Sequence, residues 1–320
     1  MKPMIPLLAL ALLGHAAISA AAPGFPDQPV NLIVNFPPAG LTDLAGRALA
    51  QAMSEQLRQT VVVQNRGGAG GAIGVAAVAA APKNGYSAGF VAVAALTTLP
   101  QMREVPYSLD SFDYVCRTFD EPVYLLVAPD SPFHTAKALV DYAKAHPGKL
   151  NYATVGPGSL PHLAALDFVG KAGIEMAHIP YQGEAPAVTA LLGKQVEVYF
   201  GTSAVASSHN LRRLGVAAQE RIATSPETPT LGELGYPVRR SILGGIIAPR
   251  GVAPAARQVL ENACAQATQA PRYKSALKTI GVSWAYSPGA DFKSMVLADA
   301  ARNRLVLREA NLLIPSSNSQ

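Results

Sequence analysis

The chain has 320 residues, 49% of them hydrophobic and 15% charged, with a formal net charge of +5. That length suits two domains of roughly 150 residues, each able to bury a core. Its Lys and Arg residues are scattered and make no basic stripe, which argues against nucleic acid as a partner, and two cysteines are too few for a thiolate metal centre.

The N-terminus carries Lys2, an apolar run over residues 5–13 and small residues from Ser19 to Ala22. This is the layout of a secretory signal, so residues 1–22 are expected to be removed and the mature protein to reside in the periplasm. No Cys lies near the cut to take a lipid, and no later stretch is long and charge-free enough to span a bilayer. In an oxidising compartment Cys116 and Cys264 either form a bridge or remain two buried thiols, and both readings stay open.

Residues 30–36 read as a buried strand, broken by Pro37, Pro38, Ala39 and Gly40 before a helix over 42–58. Ala45, Leu49, Met53 and Leu57 give that helix one apolar stripe, and Thr42 can cap it. A strand at 61–63, a run from Asn65 through Gly67, Gly68, Gly70 and Gly71, and a helix over 72–81 repeat the layout. It recurs as strand 150–154, turn Gly156-Pro157-Gly158-Ser159 and helix 160–171, and again at Tyr181-Gln182-Gly183 before helix 185–192. The class is therefore α/β, with parallel strands and helical crossovers. Pro129 and Pro132 after the apolar run 123–127 predict the crossing into a second lobe, with a return at 246–249. The expected division is lobe 1 at 25–127 plus 249–314, lobe 2 at 128–248 and a flexible tail at 315–320. Helices over 254–268, 270–279 and 291–310 close the chain.

A strand, a glycine turn and a helix together hold an anion, because the first amides of a helix lack internal partners and sit at the positive end of its dipole. Lobes facing each other across such turns would enclose a small anion. Enzyme readings fit less well. Gly68, Gly70 and Gly74 miss the last interval of a dinucleotide fingerprint, and no acidic residue occurs between Glu55 and Glu104 to hold a ribose. Gly201-Thr202-Ser203-Ala204-Val205 lacks the final glycine of a nucleophile elbow. His134, His146, His162, His178 and His209 include no pair at helical metal-ligand spacing. Asp43, one turn from a predicted anion site, is read equally as a ligand contact or as a first-turn acid that favours the dipole.

Phe36-Pro37-Pro38-Ala39-Gly40 with Asp43, Asn65-Arg66 with the glycine run, Asn84-Gly85-Tyr86, Pro106-Tyr107, and Pro147-Gly148-Lys149-Leu150 form an ordered series. It continues through Gly156-Pro157-Gly158-Ser159 with His162, Pro180-Tyr181-Gln182-Gly183, Pro229-Thr230 and Ala248-Pro249 with Gly251. The series resembles the Bug solute receptors, the substrate-binding proteins of tripartite tricarboxylate transporters, from about residue 25 to 314. The resemblance implies a type II periplasmic binding protein, a Venus flytrap of two α/β lobes. Such a protein captures a small carboxylate: an amino acid, a di- or tricarboxylate, or an aromatic acid. It implies ligand contacts from Phe36, Ala39, Gly40 and Asp43 in lobe 1 and from Thr154, Ser159, His162, Tyr181 and Ser203 in lobe 2. It further implies a monomer without cofactor, metal or catalytic residues, serving transporter membrane subunits or a signalling protein; the alternative is an enzyme acting on an organic acid. Three departures concern the ligand: Ala39 where the family usually has Gly, Gln182 where Lys is common, and no Trp in the stretch Ser241-Ile242-Leu243.

Overall fold

A computed structural model of the chain describes residues 24–314; the expected signal at 1–22 and tail at 315–320 lie outside the described residues. The chain opens with β1 (Val30–Val34), α1 (Leu41–Leu57), β2 (Val61–Asn65), α2 (Ala72–Ala79) and β3 (Ser87–Ala92). β1 lies between β2 and β3 and parallel to both. Val30, Leu32 and Val34 on one face and Ile33 on the other are buried, as expected for a parallel strand covered on both faces. The stripe Ala45, Leu49, Met53 and Leu57 is buried on α1, and the helix stops at Arg58, whose φ of 51° leaves the helical region.

Two short helices, α3 (Ala94–Thr97) and α4 (Leu99–Met102), lead to β4 (Phe112–Pro122). The next segment holds β5 (Tyr124–Val127), α5 (Ala136–Ala145), β6 (Leu150–Thr154), α6 (Leu160–Ala172), β7 (Met176–Pro180) and α7 (Glu184–Leu192). It ends with β8 (Val198–Gly201), α8 (Ser203–Ser208) and β9 (Arg212–Val216). The chain then returns through β10 (Ser241–Pro249), α9 (Pro254–Gln269), α10 (Pro271–Thr279), β11 (Trp284–Pro288) and α11 (Gly289–Glu309).

Two mixed sheets result, ordered β11-β4-β10-β3-β1-β2 and β7-β6-β8-β5-β9. The boundaries expected from the prolines, 127/128 and 248/249, differ from this membership. Residues Tyr124–Val127 pair with β8 and β9 in the second sheet, while Ser241–Pro249 run antiparallel between β3 and β4 in the first. The physical reason is that Pro129 and Pro132 end a strand without ending a lobe. Tyr124 to Val127 are fully buried, and an apolar run of that kind suits the middle of either sheet.

The crossings therefore lie at Val123 and just before Ser241, and they are bonded to each other. Val123 N–H donates to Arg240 O at 3.0 Å, Ala217 N–H to Val123 O at 2.8 Å, and Arg240 N–H to Ala217 O at 2.8 Å. The Arg240 guanidinium reaches both lobes, 2.6 Å from Asp167 Oδ2 on α6 and 2.8 Å from Asn303 Oδ1 on α11. Cys116 on β4 and Cys264 on α9 form a disulfide, so the bridge lies wholly within the first lobe.

Candidate functional site

The loops that follow β1 and β3 in the first lobe face those that follow β6, β7 and β8 in the second. Between them lies a cavity of about 60 Å³. Its wall includes Phe36, Pro37, Pro38, Gly40, Leu41 and Thr42 at the start of α1, and Ala92 and Ala94 beside α3. The other lobe contributes Val155 after β6, Ser159, Leu160 and Pro161 at the start of α6, and Gln182, Gly183, Glu184, Ala185 and Pro186 at the start of α7; Thr202 and Ile242 complete it. Three helices of eight residues or more thus begin at one enclosure and point the positive ends of their dipoles at it, with no cationic side chain in its wall. Among the described residues, Glu184 is the sole ionisable side chain of this wall.

The turn after β1 is held by Asp43, which is almost wholly buried. Its carboxylate accepts Ala39 N–H at 3.0 Å and Asn65 Nδ2 at 2.8 Å, and pairs with Arg47 Nε at 2.9 Å. Burial works to raise this carboxyl, but the bonds from Arg47, Ala39 and Asn65 outweigh it and hold the group below the usual carboxylate range. Ala39 has φ of 70°, a strained value for a residue with a Cβ, and the Asp43 bond fixes it there. Its side chain lies off the cavity wall.

The turn after β6 is held from inside the second lobe. Ser159 caps α6: its Oγ accepts His162 N–H at 3.3 Å and donates to Gly156 O at 2.7 Å. His162 Nδ1 accepts Gly158 N–H at 3.1 Å, and its ring stacks on His178 with centroids 4.1 Å apart. Burial, aided by His178, pushes His162 down to about 3, so the ring is a neutral brace at physiological pH. Thr154 Oγ1 lies 2.7 Å from His178 Nε2, and Tyr181 N–H donates to Thr154 O at 3.0 Å.

Of the nine residues expected to touch ligand, Phe36, Gly40 and Ser159 line the cavity; Ala39, Asp43, Thr154, His162, Tyr181 and Ser203 do not. Asp43, Thr154 and Ser203 among them engage their side-chain oxygens in internal bonds. Ser203 is the clearest case. Its amide donates to Glu121 Oε1 at 3.0 Å and its hydroxyl to Gly281 O at 2.8 Å, which joins α8 to the first lobe.

Sequence reasoning missed Glu184 and Thr202. Glu184 projects from α7 across the cleft, where Oε2 accepts Leu41 N–H at 2.9 Å and Oε1 accepts Thr202 Oγ1 at 2.7 Å. The sequence signal available was an acid directly after Gly183, in the first turn of a predicted helix. The glycine run 67–74 also finds its use here. A Cβ on Gly70 would lie 3.0 Å from Pro157 O, so that glycine lets the two lobes approach closely.

Residues 45–312 match the family described as tripartite tricarboxylate transporter family receptor. A UPF0065 protein of Bordetella pertussis is 31% identical over 320 residues, covering 98% of this chain and 99% of its own. The structure of the periplasmic binding protein BugD agrees with a TM-score of 0.85 at 29% identity, covering 90% of this chain and 99% of its own. The R. palustris protein Rpa4515, solved with adipate, agrees with a TM-score of 0.85 at 26% identity over 90% of this chain and 98% of its own. With the two-lobed frame and the inter-lobe enclosure, these matches establish that the chain belongs to the tripartite tricarboxylate transporter receptor family.

Proposed function

We propose that the protein is a periplasmic receptor, exported by the signal at residues 1–22, that reversibly captures a small carboxylate between its lobes. The observation that carries this reading is the α1 start, where a backbone amide already bonds a carboxylate at 2.9 Å in a cavity wall free of Lys, Arg and His. Backbone amides at the starts of α6 and α7 and the Gln182 amide are the donors left to meet a ligand, while the Ser159 and Thr202 hydroxyls, whose protons go to Gly156 O and Glu184, keep only acceptor capacity. Phe36, Pro37, Pro38 and Ile242 exclude water around it, which strengthens each bond to the anion. Adipate in Rpa4515 supports the ligand class. The bonded crossings at Val123 and Arg240 supply the axis on which the lobes open to admit it.

The receptor works as a monomer and delivers its ligand to membrane subunits of a tripartite transporter, with no bond made or broken. Native mass spectrometry of protein purified without added ligand, then a thermal-shift panel of amino acids, dicarboxylates, citrate and aromatic acids, tests the reading. A selective rise in melting temperature by one class is the expected result. No response from any carboxylate, or conversion of a panel member followed by NMR, would overturn it.

Ser159→Ala separates ligand contact from structure. Loss of the helix cap should cost about 1 kcal/mol of stability, and loss of the hydroxyl should weaken binding by about five-fold. Melting curves and titration calorimetry read the two effects independently; unchanged affinity would remove Ser159 from the ligand contacts.

A further inference from the structure

The start of α1 offers unpaired amides to an anion, yet the protein fills that position with its own side chain. Glu184 reaches there from the opposite lobe, more than nine-tenths buried. Its two oxygens accept from Leu41 N–H and Thr202 O–H, at 2.9 and 2.7 Å. Both partners donate, which suits an ionised carboxylate, since that group only accepts. A Cβ on Gly40 would lie 3.1 Å from Oε2, so the glycine at this position is what leaves the carboxylate room.

This carboxylate has no cation against it. Among the described residues it forms no ion pair with Lys, Arg or His within 4.0 Å, and the cavity wall offers none. Around it stand Glu121 on β4, itself an acid, the Tyr199 hydroxyl from β8, and His209 beyond the end of α8. Burial pushes the Glu184 carboxyl above its ordinary range, against the bonds from Thr202 and Leu41. A buried carboxylate of this kind is costly unless a positive group completes it. Each of its oxygens has a second lone pair, one of them facing the Tyr199 hydroxyl, and the side chain forms part of the cavity wall.

We propose that Glu184 sets the specificity of the cavity. It takes the α1 anion position itself and offers its remaining lone pairs to a cationic nitrogen, so the ligand is a small zwitterion with one carboxylate at the α6 and α7 starts. A dicarboxylate would set its second negative charge against Glu184 and be rejected. This rests on the receptor reading above and narrows it.

The test is titration calorimetry on matched pairs that differ by one amino group: glutamate against glutarate, aspartate against succinate, and each remaining L-amino acid against its deaminated acid. The wild-type protein should bind one or more amino acids at least about ten-fold more tightly than the matched acid. Glu184→Gln keeps the shape and removes the charge, and should erase most of that ratio, with circular dichroism reporting that the variant is folded. If the wild-type protein prefers the deaminated acids, the proposal fails while the receptor reading stands, and this arm does not depend on the variant folding. An unchanged ratio in folded Glu184→Gln also overturns it. Binding of neither member of any pair, nor of citrate or aromatic acids, would remove both.

Discussion

Replacing Cys116 and Cys264 together by alanine is expected to lower the melting temperature by roughly 10 °C and to leave ligand affinity unchanged. The bridge joins β4 to α9 across 148 residues of sequence, and that interval contains the entire second lobe. Cross-linking so long a loop restricts the unfolded chain strongly; removing such a bridge costs about 3–5 kcal/mol, and each kcal/mol moves the midpoint of a chain this size by about 2–4 °C. Both sulfurs are buried between α9 and the sheet, so reductant acting on the folded protein should work slowly. The double variant avoids leaving a lone thiol. Neither Cys lines the cavity, hence the prediction for affinity. Differential scanning calorimetry in the absence of reductant reads the first effect and ligand titration the second. A midpoint within about 2 °C of wild type would show that the bridge carries little of the stability.

Glu121→Gln should flatten the dependence of stability on pH between about 5 and 9. Glu121 is fully buried on β4 beside the crossing at Val123; Oε1 accepts Ser203 N–H, and Oε2 has no protein partner among the described residues. Burial is the main cause that pushes its carboxyl up to about 8, with the Ser203 bond and the nearby Ser283 amide opposing and the Glu184 charge adding. A folded-state value above the unfolded one means that the native state holds the proton more tightly. The stabilisation is therefore complete below about 4.5 and is lost as pH rises through about 8. At about 1.4 kcal/mol per pH unit the ceiling is about 5 kcal/mol. Glutamine keeps the acceptor for Ser203 and cannot ionise, so the variant should gain on the wild type steadily from about pH 5 to 9. His162 and His178, pushed down to about 3 and about 4, act in the opposite sense, losing stability as pH falls below about 6.5. They are common to both proteins and cancel in the comparison. Parallel pH profiles for the two proteins, from urea titrations, would refute this account.

The strand, turn and helix units were legible because each is local. The apolar stripe of α1, the Pro37-Pro38 break and the Gly156-Pro157-Gly158-Ser159 turn state their geometry within a short stretch of chain, and strand 150–154 was read to the residue. β10 was not legible, because its neighbours β3 and β4 lie far away in sequence and nothing in Ser241 to Pro249 names them. The candidate site was legible as a place and much less so as a set of side chains. Asp43 and His162 sit at the right turns, but the Asp43 carboxylate and His162 Nδ1 are engaged by Ala39, Asn65, Arg47 and Gly158, partners that only folding brings close. Glu184 shows the converse. A first-turn acid usually serves its own helix, and only the docking of two lobes reveals that this one serves another.

The second sheet takes every strand from one uninterrupted segment, Tyr124 to Val216, whereas the first must insert β10 between β3 and β4. A polypeptide delivered from its N-terminus thus has the inserted lobe's strands complete before the host sheet's middle strand exists. In that interval β3 presents an unpaired, apolar edge of the kind that recruits other chains. That edge is closed only when residues 241–249 arrive to pair with β3 and β4.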